Sequence, residues 1–133
     1  MNDETYMRRA IAAGKRQRGS TAENPSVGCV IVSGGDVVAV ASTAPGGRPH
    51  AETRALAMAG AATRGATAFV TLEPCCHHGH TPPCVDALID AGVARVVTAL
   101  EDPDPRVSGG GHKAVMDAGI EVTQGLLSDQ ANW

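Results

Sequence analysis

A histidine, two cysteines and a carboxylate stand in two short stretches of the 133-residue chain. One is His50-Ala51-Glu52. The other runs Pro74-Cys75-Cys76-His77-His78-Gly79-His80-Thr81-Pro82-Pro83-Cys84. Zinc prefers thiolate and imidazole donors, and a catalytic zinc site uses three protein ligands and keeps a fourth position for water. His50, Cys75 and Cys84 make up that count. Glu52, two residues beyond His50, is placed to approach the water without being a ligand. Zinc lowers the pKa of bound water from about 9 for the aqueous ion towards roughly 7, so that hydroxide is at hand as a nucleophile. A positioned carboxylate that moves the proton is typically worth roughly 10²- to 10⁴-fold in rate. The reaction that fits is hydrolytic deamination of an amino-substituted heterocycle, with Glu52 passing protons to a ring nitrogen and then to the departing amine.

Other assignments use the same residues. A structural zinc site closes its shell with a fourth protein ligand, and Cys76, His77, His78 and His80 are all available, although Glu52 then has no role. Cys76 could replace Cys75, but the Pro-Cys register favours Cys75. A non-catalytic zinc-binding module would keep its function after Glu52→Gln. Cys29 reads as a small core residue inside a strand, His78 as an exposed loop residue and His112 as a surface residue at a helix start. Asp102 and Asp104 read as turn formers. The Gly109-Gly110-Gly111 run lacks the lysine and spacing of a phosphate loop and reads as backbone flexibility.

The elements that must position these groups follow from periodicity. Asp3 to Arg18 predicts an amphipathic helix with Tyr6, Met7, Ala10 and Ile11 near one face. Val27 to Ser33 and Val37 to Ala41 predict two strands joined by a Gly34-Gly35-Asp36 hairpin turn. His50 opens a helix through about Gly60, and Ala66 to Leu72 is a strand stopped by Glu73-Pro74. Thr81 is the expected N-cap of the next helix, with Pro82 in its first turn and Gly92 ending it. Val93 to Leu100 is a buried strand, Ser108 to Ala118 a helix and Ile120 to Thr123 a last strand. An opening hairpin followed by helical crossovers predicts an α/β fold with a mixed sheet of about five strands and helices on both faces. Such folds place their sites beyond the carboxyl ends of strands, at helix N-termini, which is where His50, Cys75 and Cys84 fall. Residues 1–125 are expected as one domain and 126–133 as a tail, or the start of a further domain.

Composition narrows the function classes. The net charge is −3 and the aromatic residues are Tyr6, Phe69 and Trp133 alone. A nucleic-acid platform needs stacking rings and a basic groove, so polynucleotide binding is disfavoured. The first residues have no apolar signal-peptide core, and no apolar run is long enough to span a bilayer. A cytoplasmic, reducing setting is expected, with cysteines as ligands or core residues rather than disulfides.

The pairing of His-x-Glu with a later Pro-Cys resembles the nucleobase deaminases, whose second cysteine normally stands three residues after the first. Here that position holds His78, and Cys84 comes nine residues after Cys75. The longer pattern Glu73-Pro74-Cys75-x-His77-x-Gly79-x-Thr81-Pro82-Pro83-Cys84 resembles the deaminase domain of the bacterial riboflavin biosynthesis proteins of the RibD family. So do Asn24-Pro25-x-Val27-Gly28, Pro49-His50-Ala51-Glu52 and Asp102-Pro103-x-Pro105-x-Val107-x-Gly109-x-Gly111. The resemblance implies a three-layer α/β/α cytidine-deaminase-like fold and deamination of diaminohydroxyphosphoribosylaminopyrimidine. It also implies zinc on His50, Cys75 and Cys84, Glu52 as proton shuttle, and Asn24 and His77 on the substrate.

Two positions depart from the family pattern. Thr43 stands in a stretch where members usually carry a substrate-holding histidine. His80 stands where they often carry a cation for the substrate phosphate, and its charge depends on pH because the ordinary histidine pKa is about 6.5. The resemblance also implies a dimer or tetramer. Family members usually continue into an NADPH-dependent reductase domain; a separate reductase and a separated part of a bifunctional enzyme are both open here, and no nicotinamide cofactor is expected. Another nucleoside, nucleotide or base is the alternative substrate.

Overall fold

The computed structural model describes residues 2–17, 19, 26–75, 83–102 and 109–131. The elements run α1 (Asp3–Arg16), β1 (Gly28–Ser33), β2 (Asp36–Ser42), α2 (Ala51–Ala59), β3 (Thr67–Leu72), α3 (Cys84–Ala91), β4 (Arg95–Leu100), α4 (Gly110–Asp117), β5 (Glu121–Thr123) and α5 (Ser128–Ala131). A 3₁₀ turn over Gly60–Thr63 prolongs α2. The five strands lie in the order β2-β1-β3-β4-β5. β1 is antiparallel to β2 and β3, and β3, β4 and β5 are parallel. The mixed five-strand sheet expected from the sequence is therefore present.

Side chains alternate across the sheet, as a period of two requires. Cys29, Ile31, Ala68, Val70 and Val96 point to one face, where they pack with Ala51 and Ala55 of α2, Val85 and Leu88 of α3 and Val115 of α4. Val30, Val32, Phe69, Val97 and Ala99 point to the other, against Tyr6, Met7, Ala10 and Ile11 of α1. Cys29 is a buried core residue, as expected. The α1 helix is set by Asn2, whose side chain caps the Thr5 N–H, by Asp3 and Glu4 in the first turn and by Lys15 and Arg16 in the last. Each of these complements the helix dipole.

Two expectations change here. Residues 126–131 are not a tail: Leu126 and Leu127 pack on the α1 face, Ala131 is buried beside them, and the Leu126 N–H donates to the Thr98 carbonyl. The apolar spacing over so few residues was too short to show a period. The α3 helix starts at Cys84 with Pro83 at its N-cap, so the cap is not Thr81; residues 76–82 lie outside those described.

Gly28 shows why a glycine opens β1. A Cβ there would stand 1.7 Å from the Ala10 carbonyl oxygen and 2.9 Å from the Gly14 nitrogen. Backbone of α1 occupies the space. Gly28→Ala must therefore push α1 off the sheet, at a cost of roughly 3 kcal/mol or more, the upper part of the range for overpacking. Denaturant unfolding measures it; a loss under about 0.5 kcal/mol, the range of neutral surface changes, would show that α1 yields without strain.

Candidate active site

The candidate site is built at the carboxyl end of β3 from the first turns of α2 and α3. His50 occupies the N-cap of α2 but makes no side-chain cap; its ring turns instead towards the cysteines. Cys75 lies three residues past the end of β3, and Cys84 is the first residue of α3. Two otherwise unpaired N–H groups at the start of α3 are aimed at Cys75: Cys84 N–H donates to the Cys75 Sγ at 3.1 Å, and Val85 N–H to the Cys75 carbonyl at 3.1 Å. A helix N-terminus thus cradles one ligand while carrying the next.

The His50 Nδ1 lies 3.3 Å from the Cys84 Sγ and 4.0 Å from the Cys75 Sγ. The three ligand atoms all lie within 4.8 Å of one another. Tetrahedral zinc, with bonds of 2.0–2.1 Å to nitrogen and 2.3 Å to sulfur, needs N···S edges of about 3.6 Å. The two observed edges bracket that value, so the donor set fits a zinc ion in chemistry and in size.

Hydrogen bonding from Cys84 brings the Cys75 thiol down to about 4, with His50 adding to the effect and burial opposing it. The same hydrogen bond, together with burial, pushes Cys84 up. The opposite shifts are two sides of one hydrogen bond, in which the pair of sulfurs shares a proton. His50 is raised as well, chiefly by its contact with Cys75. A metal takes only the deprotonated ligands. If the three donors take zinc together, the shared proton is displaced, and apparent affinity rises with pH by about tenfold per unit for each proton displaced. Competition with a chelator of known proton affinity from pH 6 to 8 measures this, and a flat profile would remove Cys84 from the ligand set.

Glu52 is in the first turn of α2 and only 4% exposed. Burial is the main cause that pushes its carboxyl up to about 7; the Cys75 thiolate adds to this, while a backbone hydrogen bond and His50 oppose it. A carboxyl balanced near neutral pH can both accept and return a proton. Its side chain interacts with Cys84, which places it beside the three donors without being one of them.

Of the expected substrate residues, Thr43 is 1% exposed, and its hydroxyl accepts the Val27 N–H at 3.0 Å while its own N–H donates to the Val27 carbonyl at 2.9 Å. It ties the end of β2 to the start of β1. Asn24, His77 and His80 lie outside the described residues, as do Cys76, His78 and Asp104.

Sequence reasoning missed a second polar group behind the first. Glu73, read only as a strand breaker, is 2% exposed, and His112, expected at the surface, is also 2% exposed. His112 Nε2 is 2.7 Å from the Thr98 hydroxyl and its Nδ1 is 3.4 Å from a Glu73 oxygen. Burial follows from α4 lying directly on the chain leading to Cys75: a Cβ on Gly111 would stand 2.0 Å from the Pro74 carbonyl oxygen. Gly111 is thus a close-approach residue, and the glycine run is not simply a flexible stretch. A buried partner for Glu73 was legible only as the unusual pairing of a carboxylate with a later Gly-x-Gly-His.

Comparison with known proteins agrees with this geometry. The family model for the cytidine and deoxycytidylate deaminase zinc-binding region matches residues 1–100. The riboflavin biosynthesis protein RibD of Escherichia coli is 54% identical over 98% of this chain and 36% of its own length. The diaminohydroxyphosphoribosylamino-pyrimidine deaminase of Buchnera aphidicola is 49% identical over 98% of this chain and 89% of its own. A solved diaminohydroxyphosphoribosylaminopyrimidine deaminase/5-amino-6-(5-phosphoribosylamino)uracil reductase from Thermotoga maritima superposes with a TM-score of 0.89 at 42% identity, over 96% of this chain and 37% of that one. The chain thus spans about a third of its RibD relatives and most of the Buchnera deaminase. It belongs to the cytidine and deoxycytidylate deaminase family, among the deaminases of riboflavin biosynthesis.

Proposed function

We propose that the chain deaminates diaminohydroxyphosphoribosylaminopyrimidine hydrolytically, releasing ammonia and 5-amino-6-(5-phosphoribosylamino)uracil. The observation that carries the reaction class is a buried carboxyl, Glu52, beside three donors that fit zinc and that no fourth donor joins among the described residues. The substrate follows from the Buchnera relative, whose name states it and which this chain matches over nearly its whole length.

In this reading His50, Cys75 and Cys84 hold the zinc, which when bound supplies the Lewis acidity that makes a water nucleophilic near neutral pH. Glu52 would carry two protons in turn: the first from the attacking water to the ring nitrogen, the second from the newly added hydroxyl to the amine, whose C–N bond then breaks to release ammonia. Its burial keeps bulk water from competing for those protons. Asn24 and His77 orient the pyrimidine, and His80 meets the phosphate. Thr43 acts through Val27, holding the chain that leads into β1. The product is what the reductase half of the Thermotoga relative is named for. A cytoplasmic location and assembly into a dimer or tetramer belong to the same reading. Among the described residues no helix is long and apolar enough to cross a membrane.

The test is ammonia release from the diaminopyrimidine ribosyl phosphate by zinc-loaded protein, with cytidine, deoxycytidylate and guanine as competitors. Selective turnover of the ribosyl phosphate is the expected result; turnover of cytidine or guanine in its place sinks the substrate. Because His80 is the proposed phosphate contact, KM should rise as pH goes from 6 to 8, when a histidine of ordinary pKa loses its charge. A KM that stays constant would assign the phosphate to another group.

A further inference from the structure

The Glu73 carboxylate is not one of the three grouped donors, yet it is held by several hydrogen bonds. Its side chain is fully buried. Oε1 accepts the Asp102 N–H at 3.1 Å and the Gly109 N–H at 3.0 Å; Oε2 accepts the His112 N–H at 2.9 Å. The Glu73 N–H itself donates to the Leu100 carbonyl at 2.8 Å, continuing the β3–β4 register past the end of the strand. One side chain therefore joins three pieces of backbone: the end of β4, the residue before α4, and the first turn of α4.

This clamp lies two residues from Cys75. Between them Pro74 offers its carbonyl oxygen to the close approach of Gly111. Cys75 in turn is held on its other side by the first N–H groups of α3. The ligand is thus set between two helix N-termini, one fixed to it directly and one through Glu73 and Pro74. Chemistry explains why the residue is a carboxylate. Three N–H donors converge on it from two sides, so both oxygens must accept. A glutamine of the same shape turns an N–H₂ group towards one of these donors and leaves that buried donor unmet.

We propose that Glu73 is a positioning residue of the metal centre: by accepting the Asp102, Gly109 and His112 N–H groups, it fixes the Glu73-Pro74-Cys75 turn and so the place of the Cys75 thiolate. It contacts neither metal nor substrate. Groups that orient metal ligands typically change metal affinity or activity by about 10- to 100-fold when altered. The inference rests on the reading of His50, Cys75 and Cys84 as a zinc site.

The experiment compares wild type, Glu73→Gln and Ile11→Ala. Ile11 is buried in α1 on the opposite face of the sheet, so its truncation lowers stability without reaching the site. Zinc affinity is measured by chelator competition at a temperature where all three are folded, and the visible bands of the cobalt(II)-loaded proteins report ligand geometry. Glu73→Gln is expected to weaken zinc binding by about 10- to 100-fold and to shift the cobalt bands; Ile11→Ala should change neither. If Glu73→Gln does not fold, Glu73→Asp keeps both acceptor oxygens one methylene short and should weaken zinc binding and shift the cobalt bands relative to wild type. Wild-type zinc affinity and cobalt bands in the glutamine variant, or in the aspartate variant where only that folds, overturn the proposal. The same result in Ile11→Ala as in the Glu73 variant also overturns it, since the effect would then be one of stability. Failure of the wild type to bind zinc sinks the reading of the site itself and is distinct from these outcomes.

Discussion

Replacing Glu52 with glutamine lowers deamination by roughly 10²- to 10⁴-fold and leaves zinc bound. The substitution keeps the shape of a side chain that is 4% exposed in the first turn of α2. It removes only the ability to gain and lose a proton. Because Glu52 is not among the three grouped donors, metal content measured by elemental analysis should match wild type. Turnover close to wild type in the glutamine variant would end the proton-shuttle assignment and favour a non-catalytic zinc module.

The same variant carries a stability signature. Burial raises the Glu52 carboxyl from 4.5 to about 7. A carboxyl raised in the folded state favours folding fully below its unfolded pKa, and that contribution is lost as pH rises through the folded value. Glutamine has no proton to lose. Zinc-free Glu52→Gln should therefore be more stable than zinc-free wild type at pH 8, by up to about 3 kcal/mol, since each pH unit separating the unfolded and folded pKa is worth about 1.4 kcal/mol. The difference should vanish towards pH 4. Denaturant unfolding of both proteins across that range checks it, and parallel stability curves would show that Glu52 is not buried as an acid. A gain in stability with a loss in rate is the trade expected of a strained catalytic group.

The second large effect is at Cys84. Cys84→Ala removes one of three zinc donors and leaves Cys75 without the thiol that stabilises its thiolate. Structural zinc sites with four donors bind with about 10–16 kcal/mol. One donor is then worth roughly 3–4 kcal/mol, or about 10²- to 10³-fold in affinity. Zinc should be lost on dialysis and activity should fall to background. Cys29→Ala is the matched control, since Cys29 is buried in the sheet and is not part of the donor group. Cys76→Ser separates the two cysteine registers: retained zinc supports Cys75 as the ligand, whereas loss equal to that of Cys84→Ala would move the assignment to Cys76.

Residue types and spacing determined much of this chemistry. Zinc accepts few donor types, so a histidine at a helix start with two later cysteines already pointed to a zinc site, and Glu52 beside them pointed to the reaction class. The strands were legible because burial on both faces demands β-branched and apolar runs, and Gly34-Gly35 and Gly92 mark a turn and a helix end by their positive φ. Cys29 was readable as core for the same reason: it lies inside such a run.

Tertiary structure alone decided the rest. Gly28, Gly111, Glu73 and His112 owe their roles to chain brought to them from elsewhere: α1 over Gly28, Pro74 over Gly111, and the ends of the β4–α4 connection around Glu73. No local period records such contacts, because each depends on the distance between two backbones far apart in sequence. A buried carboxylate looks the same in sequence as an exposed one. What separates Glu52, the proposed proton carrier, from Glu73, the proposed clamp, is where each one's partners lie: Glu52 has thiols and an imidazole nearby, and Glu73 has three amide N–H groups.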